Sequence, residues 1–252
     1  MPQLPFLLID AGSTYLKWAT ASPRGPVRVR GEIATKDTTL AWTNSLAKKY
    51  SGHHTILASV VPKITPHFRR AFAKRLHVVN GASPALGLRF DYPKPGEIGA
   101  DRLAAAVAVH AWGLWPAMIV ACGTATAFTV LDAEGKLCGG VIAPGLQTQL
   151  AALLGATAQL PATKIRPTRR YLARSTEEAI RAGVVLNFQG GVKEILARLS
   201  ESLPGNKPPP IFLTGGNAPY LQGVLPGPVK LRPLLVFEGL LIIGTRLFMP
   251  IP

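Results

Sequence analysis

Acids are scarce in this chain, 13 Asp and Glu against 28 Lys and Arg, so the residues able to do acid–base chemistry form a short list. One of them, Asp101, sits in Gly99-Ala100-Asp101-Arg102, downstream of Tyr92-Pro93-Lys94-Pro95-Gly96. A carboxylate there can take a proton from a substrate hydroxyl, and the adjoining guanidinium can orient a substrate carboxylate. The plainer reading of Asp101 is a helix-capping Asp. Arg102 tips the balance, because a cation in a first helical turn opposes the macrodipole and suits an external anion better than the helix. A second acid, Asp10, opens Asp10-Ala11-Gly12-Ser13-Thr14, with Lys17 close behind. Glycine in a hairpin turn lets backbone N–H groups approach phosphates. Ser13 and Thr14 add hydroxyl donors, Asp10 can hold a hydrated Mg²⁺, and Lys17 supplies a point charge. Glycine turns recur at Gly123-Thr124-Ala125-Thr126 and at Thr214-Gly215-Gly216-Asn217. Each alone reads equally as ordinary turn chemistry. Together they point to phosphate binding, with Gly215 and Gly216 admitting a nucleotide beside a helix N-terminus.

These residues need a frame. Phe6–Asp10, Thr14–Ala21 and Val27–Ala34 read as strands separated by turn signals. A helix is predicted from Asp37 to Tyr50, capped by Asp37 or Thr38, then a strand at Thr55–Val61. A basic helix over Thr65–Leu76 and a short strand at His77–Asn80 follow, and Asp101 opens an Ala-rich helix to about Trp112. After a seam at Trp112–Pro116 the pattern restarts with strands at Ala117–Cys122, Thr126–Asp132 and Leu137–Ile142. A helix is expected after Pro144-Gly145, a longer one from Ser175 with Ser175 and Glu178 at capping-box spacing, and a strand at Ile211–Thr214. The last helix runs from about Val236 to Phe248, and Pro204–Pro210 reads as a loop. Gly12-Ser13-Thr14 is echoed by Gly123-Thr124-Ala125, each straight after an apolar strand. The expected fold is α/β, a duplicated ribonuclease H-like (actin/hexokinase-like) two-lobed fold with mixed sheets. Residues 1–114 would form one lobe, with the first phosphate hairpin and the Asp101 tetrad. Residues 115–252 would form the other, with the second phosphate turn, the Gly-Gly pair and dimer helices. Two hairpins gripping phosphates from opposite lobes is the logic of that ATPase class, and the absence of GxxxxGK[ST] disfavours a P-loop enzyme.

Composition excludes several classes. No apolar stretch reaches the ~20 residues a bilayer needs, and Met1-Pro-Gln-Leu-Pro-Phe lacks signal-peptide features. Cys122 and Cys138 make no disulfide framework, which fits a reducing, cytoplasmic setting. His53, His54, His67, His77 and His110 show no metal-ligand spacing. The net charge of +15, gathered in Lys63–Arg75 and Lys164–Arg174, reads as a solvated basic surface or as one meeting an anionic partner. Aromatics are 7% and do not interleave with the basic runs, so a nucleic-acid partner is not expected.

The ordered set Asp10-x-Gly12-Ser13-Thr14-x-x-Lys17, Gly99-Ala-Asp-Arg102, Gly123-Thr-Ala125, Gly139-Gly140 with Pro144-Gly145, Ser175-Thr176, Thr214-Gly-Gly216 and Glu238-Gly-Leu240 resembles type III pantothenate kinase over nearly the whole chain. The resemblance implies ATP-dependent phosphorylation of pantothenate to 4′-phosphopantothenate, the first step of coenzyme A biosynthesis. It implies that Asp101 is the base, and that Tyr92, Gly99, Ala100, Asp101 and Arg102 line the substrate pocket. It also implies that Thr176 reaches substrate across a homodimer interface, and that Asp10, Ala11, Gly12, Ser13, Thr14, Lys17 and Thr124 hold ATP with Mg²⁺. Gly215 and Gly216 would lie on the adenosine side. Two positions depart from the family's pattern. Ser13 stands where Asn is frequent, and keeps a hydroxyl. Ala121 stands where the family commonly has an Asp that ligates K⁺ or NH₄⁺, and a methyl group cannot ligate a cation; members related to the Bvg accessory factor are similar in this. The alternatives are a non-catalytic regulatory relative, touching nucleic acid through its basic surface, and another sugar or acyl kinase of the same fold.

Overall fold

The computed structural model describes residues 4–168, 171–204 and 208–249. The opening Met1-Pro-Gln and parts of Lys164–Arg174 and Pro204–Pro210 lie outside the described residues.

The first sheet orders its strands β3-β2-β1-β4-β5: β1 Phe6–Ala11, β2 Tyr15–Ala21, β3 Arg28–Ala34, β4 His54–Ser59 and β5 Leu76–Val78. β1 is antiparallel to β2 and parallel to β4. A strand central to such a mixed sheet is covered on both faces and must be apolar throughout. Phe6, Leu7, Leu8 and Ile9 are accordingly all fully buried. On one face, Leu7 and Ile9 pack with Leu46, Phe68 and Phe72 of α1 Leu40–Lys49 and α2 Thr65–Phe72. On the other, α3 Ala100–Ala111 and α6 Leu235–Phe248 cross each other and α6 covers β1 and β4.

The second sheet runs β11-β10-β6-β7-β8, with β9 also pairing β7. Its strands are β6 Ala117–Cys122, β7 Ala125–Leu131, β8 Leu137–Gly139, β9 Ile142–Pro144, β10 Ile211–Thr214 and β11 Val229–Leu231. Helices α4 Leu146–Gly155 and α5 Thr176–Glu201 bury Leu146, Leu150, Val184 and Phe188 against Met118, Val120, Phe128 and Leu213.

The chain divides into two compact units. One holds the chain up to Leu114, Gly135–Leu137 and the chain from Leu234 on; the other holds Trp115–Glu134 and Cys138–Pro233. The sequence placed everything after residue 114 in a second lobe, whereas α6 packs in the first unit. The physical reason is α3. Its Leu103–Val109 are all buried, and a helix apolar on every side needs cover beyond one sheet. Gly239 of α6 meets it, since a Cβ there would collide with the Ala104 carbonyl.

Other elements shift locally. The cap of α1 is Thr39, not Asp37 or Thr38, its hydroxyl accepting from the Trp42 N–H at 3.2 Å, while Thr35–Asp37 forms a 3₁₀ turn. The helix expected to Leu76 stops at Phe72, because Ala73 takes φ 48°. The strand expected over Leu137–Ile142 is split in two at Gly139 and Gly140, with φ 125° and 151°. No helix among the described residues is long and apolar enough to cross a membrane.

Candidate active site

In the first unit, β1 delivers Asp10 to the edge of a glycine turn. Asp10 is in register with Lys17 across the β1–β2 pair. Lys17 in turn faces Glu32 on β3, with Nζ 3.9 Å from Oε2, an exposed pair that orients the lysine more than it stabilises the sheet. The turn closes through the Gly12 N–H to the Tyr15 carbonyl at 3.1 Å. Ser13 and Thr14 are exposed at its tip. Ala11 is buried, so only its backbone can serve a ligand. Thr35 grips the turn from behind: its hydroxyl donates to the Gly12 carbonyl at 2.7 Å and its N–H to the Thr14 carbonyl at 2.9 Å.

α3 begins beside this turn in the same unit. Its N-cap is Gly99, and Asp101 is the second helical residue rather than the cap. The Arg102 N–H donates to Asp101 Oδ1 at 2.8 Å, which fixes the carboxylate over the first turn. Ala100 is buried, so this alanine too offers backbone only. Burial raises the Asp101 pKa above the ordinary carboxylate range, while the N–H and guanidinium of Arg102 pull it back. Asp10 is pushed to about 7, first by burial and then by the negative charge of Asp101, with Lys17 opposing. Burial lowers the Arg102 pKa, and the negative charge of Asp101 opposes that. The structure therefore gathers Asp10, Lys17, Asp101 and Arg102 into one electrostatically coupled group, with Tyr92 near Arg102. Two crowded carboxyls flanked by a lysine and an arginine can accept a proton and hold an anion.

The second unit carries the other turn. The Gly123 N–H donates to the Ala125 carbonyl at 3.0 Å, and Thr124 is exposed. The Thr124 carbonyl accepts from the Gly145 N–H at 2.9 Å and the Thr148 hydroxyl at 2.6 Å. Gly215, at φ 90°, lies so close to Cys122 that a Cβ would strike its backbone. Asn217 completes the join, its N–H donating to the Cys122 carbonyl at 3.0 Å and its Nδ2 to the Gly123 carbonyl at 3.2 Å. Thr124, Gly215 and Gly216 are thus neighbours. The glycine pair leads into a four-residue 3₁₀ turn, Ala218–Leu221, not the expected helix, so no macrodipole aids an anion there. Ala121 lies in register with Ala127 and Thr214. Among the described residues no His, Cys, Asp and Glu cluster suited to a metal occurs. Thr176 is the first residue of α5 and exposed; the Ser175 hydroxyl caps the helix at the Glu178 N–H, and the Glu178 carboxylate reaches back to the Arg174 N–H at 2.9 Å.

A family model for type III pantothenate kinase matches residues 6–198. The chain belongs to the type III pantothenate kinase family. A type III pantothenate kinase from Methylacidiphilum infernorum (isolate V4) is 34% identical over 241 residues, 96% of this chain and 88% of that protein. Among solved structures, a protein from Campylobacter jejuni assigned to the Baf family of transcriptional activators aligns with TM-score 0.62 at 17% identity, covering 95% of this chain and 98% of its own. A ROK family protein from Streptococcus pneumoniae TIGR4, solved with sucrose, aligns with TM-score 0.51 at 15% identity, covering 96% and 98%. At such identities the likeness is one of fold, and it is the actin/hexokinase-like fold with mixed sheets expected from the sequence.

Type III pantothenate kinase membership gives the two turns a context that local sequence lacked. Sequence reasoning still passed over Thr35, Thr148 and Asn217, which hold the turns. Asn217 stood inside a quoted motif. Thr35 and Thr148 carried no signal, because a threonine after a strand or in a first helical turn is commonplace.

Proposed function

We propose that this chain transfers the γ-phosphoryl group of ATP to the 4′-hydroxyl of pantothenate, giving ADP and 4′-phosphopantothenate, the first step of coenzyme A biosynthesis. The observation that carries the reading is Asp101: a carboxylate held by the Arg102 N–H, with its pKa raised by burial, at the start of α3. Asp101 takes the hydroxyl proton as the oxygen attacks the γ-phosphorus and the bond to the β–γ bridging oxygen breaks. Arg102 and Tyr92 hold the pantothenate carboxylate end, and Lys17 and the backbone at Gly12, Ser13 and Thr14 receive phosphates. Asp10 fits a divalent metal, because its carboxyl is a hard oxygen donor already crowded by negative charge. Mg²⁺ carried by ATP would supply charge neutralisation there. In the second unit Thr124, Gly215 and Gly216 are assigned to ATP.

We further propose a homodimer in the cytoplasm, with Thr176 reaching the substrate of the partner copy. In α5, Gly183, Leu186, Asn187 and Gly190 share one exposed face at helical spacing. A Cβ at Gly183 or Gly190 would meet open space, so no contact within the chain explains glycine in a helix interior, where it is costly. The face fits close approach of a second helix. An ADP-release assay tests the activity: ADP should appear only when pantothenate is added, and release indifferent to pantothenate would overturn the reading.

A further inference from the structure

The two glycine turns pose the same mechanical problem. A turn that must let phosphate come close uses glycine, and glycine leaves its peptide planes easy to rotate. A rotated plane would replace an attracting N–H with a carbonyl oxygen that repels the anion. Something outside the turn has to hold the carbonyls away.

Both units solve this with a threonine. Thr35 lies 23 residues after Gly12, directly behind β3, and is 6% exposed. Its hydroxyl and its N–H engage the carbonyls of Gly12 and Thr14. The Ala11 carbonyl is taken by the Val60 N–H at 3.1 Å. Thr148 lies 24 residues after Thr124, in the first turn of α4 behind β9. Its hydroxyl engages the Thr124 carbonyl alongside the Gly145 N–H, while Asn217 takes those of Cys122 and Gly123. The two threonines come from different places: Thr35 follows β3 directly, whereas Thr148 lies four residues past β9, and it is Gly145 that stands where Thr35 does. Ordinary turn stabilisation would account for either bond alone. A threonine hydroxyl nonetheless reaches a turn carbonyl in both copies, that of the glycine itself in one and that of the residue after the glycine in the other, and this recurrence from two different places indicates a shared task.

We propose that Thr35 and Thr148 are positioning residues for the phosphates of ATP, each holding the carbonyls of one glycine turn away from the nucleotide. This rests on the reading that ATP phosphates are received at these turns. The test uses the full chain with Thr35→Val and Thr148→Val, which remove the hydroxyl and keep the branched shape, and Thr35→Ser and Thr148→Ser, which restore it. Dissociation constants for Mg·ATP and for adenosine are measured by titration, with steady-state KM values for ATP and pantothenate. Each Val variant should bind ATP roughly 3- to 10-fold more weakly, the scale of one hydrogen bond. Adenosine affinity and the pantothenate KM should hold, and each Ser variant should return to within about twofold of the parent. A folded Val variant that binds ATP like the parent overturns the proposal. So does equal weakening for ATP and adenosine, which marks general loosening. Should Thr35→Val fail to fold, Thr148→Val, at a half-exposed site, decides by the same readout. A parent protein that binds no ATP overturns the reading of the turns themselves and the proposal with it.

Discussion

Asp10 and Ala121 hold the same place in the two halves of the molecule, each the next-to-last residue of the strand that runs into a glycine turn. Their surroundings are opposite. Asp10 faces Lys17 across one strand pair, senses Asp101, and is pushed to about 7. Ala121 faces Ala127 and Thr214, and neither β6 nor β7 carries an acid. A glycine turn persists in both copies, one residue shorter in the second, while a carboxylate on the hairpin strands is confined to the first. A turn that offers N–H groups needs no charge of its own to meet a phosphate. Proton transfer needs a base, and a second buried carboxylate in the other copy would carry a desolvation cost with no proton to move.

The sharpest test of this asymmetry is Asp101→Asn. Asn keeps the shape and cannot take the proton, so kcat should fall by roughly 10²–10⁴ with ATP binding retained. Near-normal turnover would break the assignment of chemistry to the first unit. Asp101 must be ionised to act, and its pKa is raised, so the acid limb of kcat should lie above the ordinary carboxylate range.

Asp10→Asn comes next, and is read in stability without ligands. The folded protein holds a proton on Asp10 that the unfolded chain releases above 3.8. Asp10 therefore favours folding at low pH, and that contribution is lost as pH rises from 3.8 to about 7, by up to about 4 kcal/mol. The variant should melt higher than the parent at pH 8 and show a flatter dependence between pH 5 and 8. An unchanged slope would remove Asp10 from the coupled group.

Thr176→Ala probes the second unit, where binding without acid–base chemistry is expected. Loss of one hydrogen bond to a charged group, about 1.5–3 kcal/mol, should weaken pantothenate by one to two decades while light scattering still finds a dimer. A fully active monomer would remove the shared site. The smallest effect is expected at Ala121. Exchanging K⁺ for Na⁺ or Tris at fixed ionic strength should change activity by less than about tenfold, because the anionic ligand is absent and backbone carbonyls alone bind weakly. Stronger activation would show a cation site that works without it.

Much of this was legible in the sequence wherever one residue type had one physical meaning. The apolar run Phe6–Asp10 read as a strand because a glycine turn signal ends it, and Ala117–Cys122 and Ile211–Thr214 were bounded to the residue. Ser175 announced α5 because Ser175 and Glu178 stand at capping-box spacing. Tertiary facts were not legible. Nothing local shows that Gly239 meets Ala104, so α6 could not be assigned its sheet. Nor does local sequence reveal that Asp10 and Asp101, about ninety residues apart, share a field. The Thr35 and Thr148 hydroxyls act on carbonyls 23 and 24 residues away, beyond the reach of any pattern of helix or strand period.

The return of α6 to α3 sets an order on synthesis. Everything the second unit needs, Trp115–Glu134 and Cys138–Pro233, emerges from the ribosome ahead of α6. The first unit, begun earlier, waits with β1, β4 and α3 lacking one cover until Leu235–Phe248 emerges. The half that carries both carboxyls is therefore the last to close, and a message cut short of α6 yields a nascent chain whose apolar face of Phe6 and Ile56 stays open to chaperones and proteases.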